Sequence, residues 1–198
     1  MKKIDFKKWK LTTPSLSDIN DRLLLINLYA TQLVVLIIGA IMLLFMKPNL
    51  NAMFSLQLGW KIVLWGIGCA VAVLVMDFVV SRFAPKDVLD DGGMNKRLFG
   101  NRSLWHIAVI SIIVAFCEEV LFRGAIGGLI GPYWTSILFA LIHVRYLKHW
   151  LMTGMVFCIS YGLGWMYAYT GTLWTPILAH FFIDFISGCI IRYSKEDK

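Results

Sequence analysis

Long apolar runs separated by short polar segments dominate the chain. The runs occupy residues 23–46, 56–80, 104–125, 133–144, 151–169 and 173–191. A helix of roughly 20 apolar residues matches the thickness of a bilayer core, and lipid-exposed backbone must satisfy its own hydrogen bonds. The pattern therefore predicts an all-α, polytopic membrane bundle of about six transmembrane helices. The fourth helix is short if it starts at Pro132.

Composition supports a membrane protein. The 198 residues are 59% hydrophobic and only 16% charged, whereas a soluble domain carries about 25% charged residues. The four cysteines lie in apolar runs at wide, irregular spacing and form no CxxC pair. Neither a zinc knuckle nor a disulfide framework is therefore indicated.

The positive charges indicate the topology. The net charge is +7, and sixteen of the nineteen lysines and arginines lie in alternate connections, at residues 1–22, 81–103, 145–150 and 192–198. By the positive-inside rule these connections and both termini are cytoplasmic. No basic patch is interleaved with aromatic residues, so the charge indicates topology rather than nucleic-acid binding. We expect a multi-pass protein of a bacterial plasma membrane.

The sequence divides into four segments. Residues 1–22 are basic and amphipathic, and are expected either at the cytoplasmic lipid surface or as a disordered tail. Residues 23–103 hold two transmembrane helices and a cytoplasmic loop, and show no motif. Residues 104–192 form the helix bundle that carries the candidate chemistry. Residues 193–198 are a basic tail.

Charged residues interrupt the third apolar run. Each charge at the bilayer centre costs roughly 2.5–3.5 kcal/mol, so Glu118, Glu119 and Arg123 indicate a functional site facing the protein interior. Glu119 and Arg123 are four residues apart and share a helix face. Glu118 lies about 100° around the helix from Glu119. We therefore expect Glu119 to pair with Arg123, which leaves Glu118 free as a general base.

Later apolar runs carry three more titratable groups, His143, His180 and Asp184. Each needs a polar partner in hydrocarbon, which one shared pocket would supply. A carboxylate with a histidine can deprotonate water, and a second histidine with an aspartate can stabilise an oxyanion. No serine or cysteine lies in a nucleophile motif, which favours a peptidase without a covalent intermediate. Glu118, His143 and His180 could alternatively bind zinc, although no HExxH motif is present.

The depths of these groups leave one geometric question open. With the spans above, Glu118 and His180 lie toward the outer half of the bilayer and His143 toward the inner half. The spread is on the order of 10–15 Å at the rise of an α-helix. Either the fourth helix begins before Pro132 or the helices tilt strongly.

Three motifs resemble those of the CAAX-prenyl-protease and bacteriocin-self-immunity family (CPBP, or Abi). They are Glu118-Glu119 with Arg123, Phe139 with His143, and His180 with Asp184, in this order on successive spans. The resemblance covers roughly residues 104–191 and implies an intramembrane endopeptidase. By it, Glu118 and His143 activate water and His180 with Asp184 stabilises the oxyanion. Glu119, Arg123 and Phe139 support the site.

The resemblance also bears on the cofactor and the substrate. Some relatives carry asparagine where this chain has Asp184, so Asp184 would orient His180 or would itself be protonated. The glutamate–histidine mechanism needs no metal, and a zinc-dependent version is the alternative. The substrate would be a membrane-associated peptide or protein, either prenylated or a bacteriocin precursor.

Two non-proteolytic functions compete with this interpretation. One is a non-catalytic immunity or partner-binding protein that keeps the pocket for structure. The other is a proton-coupled transporter that uses the carboxylates as a relay. The absence of paired Gly/Pro-broken helices in corresponding halves argues against the transporter.

Overall fold

The computed structural model describes residues 20–57, 59–89 and 92–194, most of which are helical, with no β-strand among them. The all-α prediction is confirmed. Most of the predicted N-terminal segment (1–19) and of the basic tail (195–198) lies outside the described residues. The α-helices are α1 Asp21–Met46, α2 Leu50–Met53, α3 Trp60–Phe83, α4 Met94–Phe99, α5 Leu104–Glu119, α6 Gly127–Ile142, α7 Trp150–Thr170 and α8 Trp174–Tyr193.

Two shorter elements complete the path of the chain. A 3-10 turn at Lys86–Leu89 precedes α4, and a π-helical turn at Val120–Ile126 joins α5 to α6. The predicted polar loop 81–103 is therefore partly helical. It is tied to α1 because Arg97 of α4 forms an ion pair of 3.2 Å with Asp21.

Five helical segments of the described chain are long and apolar enough to cross a membrane. Four of them are α1, α3, α7 and α8, and the fifth is the 39-residue run Leu104–Ile142. The predicted count of six is not confirmed, because the third and fourth predicted spans form this one run. At 1.5 Å per residue the run measures roughly 60 Å, about twice the hydrocarbon thickness.

The long run bends at Gly131. Its φ of 77° and ψ of 167° are non-helical, a combination that is essentially restricted to glycine. Pro132 then starts the next helical arm, as proline does at a first helical position. The predicted start of the fourth helix at about 133 agrees with this arm, although helical turns also continue from Gly127 up to the bend. The third predicted helix, 104–125, also changes to π geometry after Glu119.

The helices surround the polar residues of the third run. α8 packs against α3, α5 and α7, while α1 packs against α5 and the π turn, and α6 packs against α7. Large apolar side chains point outward from α1 and α3, including Phe45 and Phe83 with more than 80% of their surface exposed. Such broad apolar faces fit contact with lipid. The polar residues are thus enclosed by α1, α5, the π turn, α7 and α8.

Candidate active site

Glu119 is the centre of a buried polar network. It is the last residue of α5 and has no exposed surface. Its Oε1 atom accepts a hydrogen bond of 2.9 Å from Nη1 of Arg123 and one of 2.8 Å from Nδ1 of His180. The predicted pairing of Glu119 with Arg123 is therefore present. One carboxylate oxygen connects the π turn to α8.

Arg123 extends the network to α7. Its Nη2 atom donates to both the backbone oxygen and the Oγ of Ser160, each at 2.9 Å. The guanidinium also lies 5.1 Å from the centroid of the Phe139 ring, a distance at which a cation and an aromatic face attract. Sequence reasoning missed Ser160. A serine in an apolar helix usually bonds its own backbone, so it gives little signal.

The π-helical turn after Glu119 sets the position of Arg123. π turns are rare and occur often at functional sites. A Cβ on Gly127 would lie 2.9 Å from the backbone oxygen of Phe122, so the wide turn can close only on a glycine. Residues 120–125, including the guanidinium-bearing Arg123, are all buried within this turn.

His180 lies between two carboxylates. Its Nδ1 atom is bonded to Glu119, and its Nε2 atom is 3.5 Å from Oδ2 of Asp184. Because a carboxylate accepts and does not donate, Nδ1 must carry the hydrogen. The distance to Asp184 exceeds that of an ordinary N–H···O bond, so Glu119 is the closer partner of the ring. Nε2, which has no closer partner than Asp184 among the described residues, can therefore contact a bound molecule.

Glu118 occupies a different environment from Glu119. It is partly exposed, and its Oε1 accepts a hydrogen bond of 3.0 Å from Nε2 of Gln32 on α1. Within the described residues it has no cationic partner, as predicted, but it is not free of hydrogen bonds. Gln32 was also missed, although an amide inside an apolar run was a usable signal.

His143 ends α6 at the edge of the network. Its Nδ1 atom lies 2.7 Å from the backbone oxygen of Phe139, which can only accept, so Nδ1 donates and Nε2 of the neutral ring is an acceptor. The His143 and Phe139 rings are 4.5 Å apart. Phe139 therefore contacts both His143 and Arg123. In the described structure no hydrogen bond joins His143 directly to Glu118 or His180.

Zinc is the alternative that sequence reasoning left open for Glu118, His143 and His180. Within the described residues, no three His, Cys, Asp or Glu side chains are arranged so that they could hold one metal ion. In this arrangement the residues do not fit the zinc alternative. The arrangement suits acid–base chemistry on water instead.

Comparison with known proteins agrees with the three motifs. Residues 100–186, which contain all of them, match the sequence profile described as "Type II CAAX prenyl endopeptidase Rce1-like". The chain is also similar to "Uncharacterized protein YpbD" of Bacillus subtilis (strain 168), with 43% identity over 140 residues, 70% of this chain and 74% of the relative. No solved structure matches the chain significantly. Because the profile match includes all three motifs and the similarity to the relative extends over more than two thirds of both proteins, the chain belongs to the Rce1-like family, which is described as type II CAAX prenyl endopeptidases.

Proposed function

We propose that this protein is an intramembrane endopeptidase that hydrolyses a peptide bond with water activated by Glu118 and His143. The observation that carries the proposal is the contrast between the two adjacent carboxylates. Glu119 is fully buried and neutralised by Arg123, whereas Glu118 is partly exposed and has no cationic partner in the described structure. A carboxylate that has no cationic partner and is partly exposed, such as that of Glu118, can accept a proton from water.

The reaction follows from the donors and acceptors around Glu118. Glu118 takes one proton from water as the water oxygen bonds to the peptide carbonyl carbon, and Nε2 of His143 is a second acceptor for the water. His180 lies between the carboxylates of Glu119 and Asp184, which favour its doubly protonated form, and in that form Nε2 carries a hydrogen that it donates to the developing oxyanion. The C–N bond then breaks, and the proton held by Glu118 passes to the leaving nitrogen.

Supporting residues keep these groups in place. Glu119 holds the ring of His180 through Nδ1, and Arg123 holds Glu119 while it bonds to α7 through Ser160. Phe139 separates Arg123 from His143. Such preorganisation matters because catalysis depends on groups fixed in advance of the reaction.

The substrate that fits this site and family is a membrane-associated peptide or protein. The profile's description refers to prenylated CAAX proteins, and a bacteriocin precursor is the second candidate of the same kind. Either substrate would reach the site from the bilayer of a cell membrane.

The test uses the full chain reconstituted in nanodiscs with a library of membrane-anchored reporter peptides. Wild type should cleave at least one reporter, and Glu118→Gln and His143→Ala should not. Asp77→Asn is the matched control, because Asp77 is an exposed carboxylate of α3 outside the site. Cleavage by folded Glu118→Gln at the wild-type rate would refute the proposal and favour a non-catalytic membrane-binding protein.

A further inference from the structure

Arg145 is an exposed cation in the turn that follows His143. Hydrogen bonds fix this turn, because the nitrogen of Tyr146 donates to the oxygen of His143 at 2.9 Å and the oxygen of Tyr146 accepts from the hydroxyl of Thr153 at 2.7 Å. Tyr146 is buried, and its ring lies parallel to that of His143 with the centroids 6.1 Å apart. Arg145 therefore belongs to an ordered turn beside a residue of the proposed site.

Contacts hold the guanidinium of Arg145 on one side. Its central carbon lies 4.5 Å from the centroid of the Tyr146 ring. Its Nη2 atom donates to the hydroxyl of Tyr146 and, at 3.2 Å, to Oδ1 of Asn95 on α4. Nε and Nη1 make no hydrogen bond to any described residue, and Arg145 is in no ion pair among them. A cation that is fixed in advance and has donors left over suits an anionic ligand, because little side-chain freedom is lost on binding.

The guanidinium is within reach of a peptide that is bound at His143. The ring distance of 6.1 Å and the cation–ring distance of 4.5 Å place the guanidinium carbon no farther than about 11 Å from the centroid of the His143 ring. An extended peptide advances roughly 3.3–3.6 Å per residue, so a group within about three residues of the bond under attack can contact Arg145. His143 is itself partly exposed, so one molecule can contact both residues.

Lipid phosphates are another source of anions near a basic turn. The contacts of Arg145 with Tyr146 and Asn95 keep its charge beside His143. Lys148 of the same turn is exposed and makes no comparable contact among the described residues, so its long side chain is the better partner for a headgroup. The contacts of Arg145 thus favour a ligand at the site.

We propose that Arg145 is a specificity-determining residue that binds a carboxylate of the peptide substrate, within about three residues of the cleaved bond. The inference rests on the proposed function and narrows its substrates to peptides that carry such a group. The carboxylate belongs either to the free C-terminus of the substrate or to an aspartate or glutamate side chain. In both cases it accepts a charge-assisted hydrogen bond from Nη1 or Nε of Arg145.

The first test needs only the wild-type chain in nanodiscs. The membrane-anchored reporters are made in matched forms, with a C-terminal acid or amide and with glutamate or glutamine close to the cleaved bond. Wild type should prefer a carboxylate form by roughly 10–100-fold in kcat/KM, the range expected for a hydrogen bond to a charged group. The preferred form identifies the carboxylate as the C-terminus or a side chain. Equal kcat/KM for all forms would overturn the inference.

The second test compares Arg145→Gln with Lys148→Gln, which removes the same charge from the same turn. Arg145→Gln should abolish the preference by raising KM for the carboxylate form, with kcat changed less than about twofold, because a contact remote from the reacting atoms contributes uniform binding. Lys148→Gln should keep the preference. A folded Arg145→Gln that keeps it would overturn the inference. If Arg145→Gln does not fold, as judged by thermal melting, Arg145→Met replaces it.

A charge reversal separates substrate binding from support of the turn. Arg145→Glu should cleave a reporter with lysine in place of glutamate better than wild type does, whereas a purely structural role would lower the cleavage of every reporter alike. Nanodiscs with and without phosphatidylglycerol address the lipid alternative. An equal loss in Arg145→Gln and Lys148→Gln that appears only in the anionic bilayers would assign the turn to headgroups and overturn the inference.

The inference and the proposed function fail in different ways. Cleavage by folded Glu118→Gln at the wild-type rate, or no cleavage of any reporter by wild type, would refute the proposed function. Binding of the same peptides, followed by fluorescence anisotropy, still decides the role of Arg145 in that case. Tighter binding of a carboxylate form that is lost in Arg145→Gln would support the role, and equal binding of all forms would refute it.

Discussion

Glu119 and His180, which are 61 residues apart in the sequence, share a buried hydrogen bond of 2.8 Å between Oε1 and Nδ1. The same oxygen also accepts the hydrogen bond from Arg123. The bond therefore ties the end of α5 to the middle of α8 and determines which nitrogen of His180 remains available. These contacts hold α5, the π turn and α8 together.

Glu119→Gln should destabilise the protein strongly. Arg123, which is 2% exposed, would keep its charge without a counterion, and breaking a buried ion pair in this way costs about 3–5 kcal/mol. Unfolding in mixed detergent micelles, followed by circular dichroism, measures the change. A free energy of unfolding equal to that of wild type would contradict the assigned ion pair.

Glu118→Gln should reduce cleavage strongly while leaving the stability of the protein almost unchanged. Glu118 is partly exposed and takes part in no ion pair within the described residues, so the free energy of unfolding should stay within about 0.5 kcal/mol of wild type. Cleavage should fall by roughly 10²–10⁴-fold, the usual contribution of a general base. Reporter cleavage and detergent unfolding on the same preparation check both parts. Equal destabilisation by the two glutamate substitutions would argue against their different roles.

Ser160→Ala should weaken the anchoring of Arg123 modestly. The guanidinium would lose the Oγ acceptor but keep the backbone oxygen of the same residue, so we expect a loss of about 1 kcal/mol. Ser111→Ala is the control, because the Ser111 hydroxyl bonds only within α5, to the backbone oxygen of Ile107. A larger loss at Ser111 than at Ser160 in detergent unfolding would contradict this ranking.

Gly131→Ala should destabilise the bend between the π turn and the arm that carries His143. The backbone angles of Gly131 cost a residue with a Cβ about 1–3 kcal/mol. Gly162→Ala in α7 is the control, since a Cβ there meets nothing within 4 Å and alanine favours a helix by roughly 0.5–1 kcal/mol. The difference between the two variants in detergent unfolding is the measurement. Equal stability of the two variants would mean that the bend is not strained.

The sequence by itself determined the class of the protein and part of its site. Apolar runs of bilayer length require helices, because lipid offers no partner to a free backbone group. Charged residues inside those runs are costly enough to single out Glu118, Glu119 and Arg123. The four-residue spacing on one helix was sufficient to predict the pairing of Glu119 with Arg123, because both groups belong to the same local structure.

Only the tertiary structure decided which helices meet and what they share. It joined the third and fourth predicted spans through a π turn and a bend at Gly131, made Glu119 the nearer partner of His180, and brought Ser160 and Gln32 to the charged groups. Spacing along one helix does not specify contacts between helices. A serine is also far less costly in hydrocarbon than a charge, so Ser160 does not stand out in the sequence until its partner Arg123 is in place.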